Sequence, residues 1–244
     1  MPFGRRTFTP GLVNRPLAAA ADPMGPSGPE HLAPRVGEAA RALVDFFIAT
    51  YRDRRGGVHA ETVIGAAAAL TGEFAQRATG ISIPEDAKQF VFGDAINDIL
   101  LEGSADGRVT VWQCLQLSLR DAGLGDTKLP NIEEVISNVA GAVGGPSFPP
   151  LTVPGDNYPR EWSPNACPRL RHKVTAIAAK HNLTRRELAF ALALATGRLV
   201  AMTEGVLRPV IGITLATEIA FGVAKMVPLN EPFGEDVQFD RNAR

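Results

Sequence analysis

The segment AETVIGAAAALTGEFAQR, residues 60–77, limits more than any other how this chain can fold. Its charged residues, Glu61, Glu73 and Arg77, stand near its ends, and the eleven residues from 62 to 72 carry no charge. Alanine is the strongest helix former, and a helix without a polar face calls for other elements around it. The segment reads as a buried helix over residues 60–79, stopped by Gly80. Glu61 suits the positive end of the helix dipole, and Glu73 with Arg77 makes an i,i+4 pair at the other end. The small side chains of residues 65–69 let neighbouring helices come close.

Two further segments, ELAFALALATGRLVAM and VLRPVIGITLATEIAFGVAKMV, are apolar almost all round and read as core partners of the first. Their helices are expected over 185–204 and 207–227, the former opened by a capping box, Thr184 with Glu187. Residues 58–79 and 185–227 should form the centre. Near the N-terminus Val36, Ala39, Ala40, Leu43, Val44, Phe47 and Ile48 recur at three- and four-residue steps. That period marks an amphipathic helix from about residues 29–30 to just before Gly56, with Arg52, Arg54 and Arg55 in its last turn. Other helices are expected over 84–102, broken at Gly93, and over 109–122, 130–143 and 168–181. LTVP and VQF are the only β-like fragments, and no internal repeat occurs at a fixed period.

The expected fold is therefore all-α, an irregular multi-helix bundle of about eight helices. It divides into an extended N-terminal arm (1–29), a helical part (30–143), a proline-rich connection (144–166), a second helical part (167–228) and a polar tail (229–244). The whole is read as one compact domain. The arm and the connection each hold six prolines, which exclude long helices and central strands. The connection either separates two halves or packs along the surface as an ordered strap.

Composition narrows the functions. A formal net charge of −1 gives no global attraction to nucleic acid or anionic membrane. No run reaches the roughly 18 uninterrupted apolar residues of a membrane-spanning helix. The closest, 209–224, carries Glu218. Residues 1–21 hold Arg5, Arg6 and Arg15 and no acid, in the manner of an export signal. Pro10, Asn14, Arg15 and Pro16 interrupt the apolar part, so the stretch reads as an arm. Cys114 and Cys167 form no CxxC or metal motif and read as buried, reduced thiols of a cytoplasmic protein.

Several motifs bear on chemistry. Residues two apart on a helix point about 200° apart, so His59 and Glu61 are not expected to share a metal or pass a proton. His59 reads as a helix-end residue, with a catalytic base as the alternative. Asp94, Asp98 and Glu102 fall at i, i+4 and i+8 and line one face. They are weak metal candidates, since like charges so spaced call for a basic partner, solvent or a divalent cation. A diphosphate-holding cation site would need a second acidic motif, and the last helix offers only Glu218. EGSADGRVTVWQ, residues 102–113, resembles an EF-hand loop with Arg108 at its seventh place and Gln113 replacing the closing glutamate. An Asp-Gly turn explains it without an ion. KHNLTRRELAFALALATG has a helix-turn-helix cadence, but the second helix lacks base-reading residues in its body, so nucleic acid is not an expected partner. The chain carries no HExxH, GxSxG, GxGxxG or phosphate-loop motif, and no cofactor is expected.

The near-neutral total hides two opposed segments. Residues 84–134 hold ten acids and four Lys/Arg, and residues 160–186 hold seven Lys/Arg and one acid. Arg169, His172, Lys173, Lys180, Arg185 and Arg186 are therefore candidate anion ligands, against the simpler reading of a solvated basic face. Glu218 and Arg208 lie in apolar surroundings and are candidate buried charges, each needing a partner. Trp112 and Trp162 read as packing anchors.

The leading expectation is a non-catalytic helical protein that acts by self-association, as a homo-oligomer, or by binding a partner or ligand. One alternative is a small-molecule binder or metal-dependent enzyme with an interhelical pocket near Asp94, Asp98, Glu218 or His59. Another is anionic lipid or nucleic-acid binding through residues 160–186.

Overall fold

The computed structural model describes residues 7–8, 32–83, 93–102, 108–125, 127, 129–143, 145 and 148–232. Among these, eight helices follow in order: α1 (Pro34–Tyr51), α2 (Ala60–Ala78), α3 (Asp94–Leu100), α4 (Val111–Asp121), α5 (Ile132–Ala142), α6 (Ala166–Lys180), α7 (Arg185–Met202) and α8 (Pro209–Val223). The fold is all-α. The only strands among the described residues are two-residue pieces, β1 (Thr7–Phe8) and β2 (Val58–His59), paired antiparallel with Thr7 opposite His59.

Every residue of α2 from Ala60 to Gln76 is buried, as a helix without a polar face requires. It packs on α7 and α8 and is flanked by α1, α3 and α6, while α4 covers α7 and α5 meets α8. Small residues set the closeness. A side chain at Gly72 would collide with the backbone carbonyl of Ala220 on α8, and one at Gly197 on α7 would press on Ser118 and the Leu115 carbonyl of α4. Thr71 and Thr196, both fully buried, bring their hydroxyls 3.2 Å apart between α2 and α7. Each hydroxyl also lies within 2.9 Å of the carbonyl one turn back, so neither is left unpaired. One apolar cluster draws on all eight helices, so the helical parts before and after the proline-rich connection share a core.

That connection is an ordered strap across α2 and α8 over the described stretch 148–165. Pro159 and Ser163 lie over Gly65, and Pro149 over Gly222. Gly65 thus admits the strap as well as Ile219 of a neighbouring helix. Three polar contacts fasten the strap. Thr152 donates from its backbone N–H and hydroxyl to Glu218, Asn157 donates to Glu61 at 3.3 Å, and the Arg160 N–H donates to the Thr62 hydroxyl at 3.0 Å. Trp162 closes it by donating to the Phe148 carbonyl at 3.2 Å.

The structure corrects several expectations. Helix α1 begins at Pro34 and ends at Tyr51, so Arg52, Arg54 and Arg55 follow the helix and do not form its last turn. The Asp53 carboxylate accepts from the Arg55 and Gly57 N–H groups and holds a turn there. LTVP forms no strand, and VQF lies outside the described residues. Arg208 is an exposed N-cap residue of α8, not a buried charge, because the chain leaves helix at Thr203 and starts again at Pro209. Gln113 is the N3 residue of a capping box with Thr110, the same device that Glu187 and Thr184 form on α7. Residues 84–92 and 103–107, and with the latter a part of the EF-hand-like stretch, lie outside the described residues. So do residues 1–6 and 9–29 of the arm, residues 30–31 after it, and 233–244 of the tail.

No helix among the described residues is long and apolar enough to cross a membrane. Cys114 and Cys167 are buried and free.

Candidate functional site

The site is built where four elements meet. The end of α1 supplies Thr50 and Tyr51, followed by Arg52. The first turn of α2 supplies Thr62, the strap supplies Arg160 and Glu161, and α6 supplies Arg169, Leu170 and Lys173. They surround an open groove of about 540 Å³. Arg169 and Lys173 share one face of α6 because they are four residues apart. Arg160 reaches the groove because its own N–H is pinned to Thr62.

A closed set of hydrogen bonds stiffens one wall. Tyr51 donates to Glu161 Oε1 at 2.7 Å, and Arg169 Nη2 donates to the same oxygen at 2.7 Å and to the Tyr51 oxygen at 2.9 Å. Burial and the Glu161 charge raise the Tyr51 phenol above its ordinary range, so it stays a donor. On Arg169, burial opposes the charge, but Tyr51 and Glu161 outweigh it and hold the guanidinium protonated. Glu161 is thereby committed to Arg169. Among the described residues no carboxylate pairs with Arg52, Arg160 or Lys173, all exposed around the groove.

Behind the groove floor lies a second polar group. His59 caps α2, and its Nδ1 stands 2.8 Å from the Thr62 hydroxyl and accepts from the Thr62 N–H at 3.4 Å. Its Nε2 is 3.5 Å from Glu61 Oε2. The expectation that His59 and Glu61 point apart is overturned. His59 has extended backbone as the N-cap, so the 100° per residue of a helix does not apply to it. With Nδ1 accepting, the ring proton belongs on Nε2, facing Glu61.

The other expected site residues are dispersed. Of the six basic candidates, Arg169 and Lys173 line the groove, while His172, Lys180, Arg185 and Arg186 do not. The Arg186 guanidinium lies 5.7 Å from the centre of the Phe190 ring. Asp98 pairs with Arg108 at 2.8 Å, within its own acidic segment and not with the basic one, and Asp94 is exposed. No group of three or more His, Cys, Asp or Glu placed to hold a metal ion occurs among the described residues, Asp94, Asp98 and Glu102 included. Glu218 is buried and fastens the strap. Burial raises its carboxyl above the ordinary range, with the Thr152 hydrogen bonds working in the opposite direction.

Arg52, Tyr51 and Thr62 carry no sequence signal for the groove. Arg52 reads as a helix-end charge, and Thr62 belongs to an apolar run. Arg160 stands inside the basic segment, and its charge was the available clue. No protein-family model, curated protein or solved structure matches this chain.

Proposed function

We propose that this protein binds a small anionic ligand, bearing phosphate or carboxylate groups, in the groove between α1, α6 and the strap. One observation carries the reading: Arg52, Arg160 and Lys173 ring the groove with no carboxylate partner among the described residues. Guanidinium and ammonium donors facing an oxyanion make charge-assisted hydrogen bonds, the stronger class. The volume of about 540 Å³ falls in the range of small-molecule sites. The groove does not extend to Lys180, Arg185 or Arg186, which favours a compact ligand over a polymer or a lipid surface.

Isothermal titration calorimetry with inorganic phosphate, pyrophosphate and citrate at low salt tests this. Binding should weaken as salt rises and fall at least about tenfold in the double variant Arg160→Gln, Lys173→Gln. Absence of heat for all three anions at millimolar concentration, or an unchanged affinity in the double variant, defeats the reading. Anionic vesicles serve as the contrast: tighter binding to them than to soluble anions assigns the groove to a lipid headgroup.

A second reading, self-association, rests on the pairing of Thr7–Phe8 with Val58–His59. An arm that adds a strand to this edge can do so in its own chain or in a second copy. Among the described residues Val206 is the one large apolar side chain left exposed, so the arm, not an apolar face, would carry the association. Light scattering that finds a monomer at all concentrations removes this reading. The two buried free thiols support a reducing compartment such as the cytoplasm.

A further inference from the structure

At the far end of α2 from the groove, Glu73 and Gln76 clasp the residues that follow α8. Glu73 Oε1 accepts from Arg77 Nε at 2.7 Å and from Arg171 Nε at 2.5 Å, and Arg171 Nη2 donates onward to the Leu229 carbonyl at 2.6 Å. Gln76 Nε2 donates to the carbonyls of Ala224 and Met226 at 3.0 and 2.6 Å. These two carbonyls fix the orientation of the amide, since only the NH₂ end can serve both. The Gln76 oxygen is therefore turned away from them.

Two acceptors remain. Glu73 Oε2 and Gln76 Oε1 are buried and have no hydrogen-bond partner among the described residues. Their residues are 1% and 2% exposed. They are three positions apart on one helix, hence on one face. Both residues line the same small cavity, of about 10 Å³, walled by Pro164, Cys167, Val223 and Met226 among others. A cavity needs about 10–15 Å³ of this kind to hold one water, and a buried water needs two to four polar partners. Leaving two buried acceptors unpaired forfeits their hydration with nothing in return.

We propose that this cavity is a binding site for a single water molecule, which donates one hydrogen bond to Glu73 Oε2 and the other to Gln76 Oε1. Charge decides between water and a cation. The one carboxylate already faces two guanidiniums, Arg77 and Arg171, so a further positive charge is repelled. A neutral donor with two protons matches two acceptors. The Cys167 thiol on the wall offers no competing anion, because burial, the Glu73 charge and a hydrogen bond to Glu73 raise it well above its ordinary range. The water would bridge the two α2 side chains that hold the segment after α8, making the clasp a hydrated one.

A crystal structure of the full chain at about 1.5 Å or better tests this directly. The expected result is one fully occupied peak about 2.7–3.1 Å from both oxygens. A dry cavity, or a protein side chain pairing with either acceptor, overturns the proposal. A rubidium soak that gives an anomalous peak at this position also overturns it, in favour of a monovalent cation. In Gln76→Met crystals the peak should vanish. Persistence of the peak at full occupancy there would contradict the assigned partner.

Discussion

His59 Nε2 and Glu61 Oε2 stand 3.5 Å apart at the start of α2, although the two residues are two apart in sequence. The approach exists because His59 precedes the helix and caps it, while Glu61 is buried in its first turn against Asn157 of the strap. The imidazole thus faces the Thr62 backbone N–H and hydroxyl with Nδ1 and the Glu61 carboxylate with Nε2.

The capping part of that role is separable. Asparagine is a strong N-cap residue and keeps the acceptor for the Thr62 N–H, whereas alanine does not. His59→Ala should lower stability by about 0.5–2 kcal/mol, and His59→Asn by less. Urea unfolding midpoints for the two variants check this. An equal loss in both would place the contribution of His59 in its contact with Glu61.

The glycines of the helices should respond oppositely to alanine. Gly37 lies within α1 with open space where a Cβ would go, so Gly37→Ala should stabilise by about 0.5–1 kcal/mol through helix propensity. Gly72→Ala should destabilise by about 1–3 kcal/mol, because the new methyl meets rigid backbone at Ala220. Denaturant titration of both variants decides. A stabilised Gly72→Ala would mean that α2 and α8 are not in the tight contact described.

Two glutamates give stability opposite dependences on pH. The folded chain holds a proton on Glu218 more tightly than the ordinary value of 4.5, since burial raises it. Its contribution is therefore fullest below that value and is lost as pH rises through the higher folded-state value. Glu187 is the reverse. Burial opposes, but the Thr184 N–H, the Arg35 guanidinium and the Thr184 hydroxyl lower it, so its contribution is present above 4.5 and lost as pH falls. Melting temperature against pH should show Glu218→Gln gaining on the wild type as pH rises above 4.5, while Glu187→Gln loses most at neutral pH. Glu218→Ala, which also removes the acceptor for Thr152, should cost about 1–3 kcal/mol. Parallel wild-type and Glu218→Gln profiles would contradict the assignment.

The core was legible because burial leaves a periodic trace. The uncharged middle of α2, the apolar circumference of α7 and α8 and the Thr184–Glu187 box each predict their own surroundings. The groove was not legible, because it is a meeting of distant segments. Arg52 and Arg160 are more than a hundred residues apart, and a strap with no periodic pattern brings them together. Glu218 stands out as a carboxylate in an apolar segment and Glu61 as a helix-start charge, but only the path of the strap shows that Thr152 and Asn157 are their partners. A rule for helix interiors misplaced His59 because the helix begins one residue after it.

The anion site proposed for the groove is open to anomalous diffraction from crystals soaked in tungstate, a heavy phosphate mimic. The strongest anomalous peak is expected within hydrogen-bonding reach of Arg160 and Lys173, and is expected to be lost on soaking the Arg160→Gln, Lys173→Gln variant. A groove without a peak, while tungstate occupies Lys180, Arg185 or Arg186 instead, would contradict it.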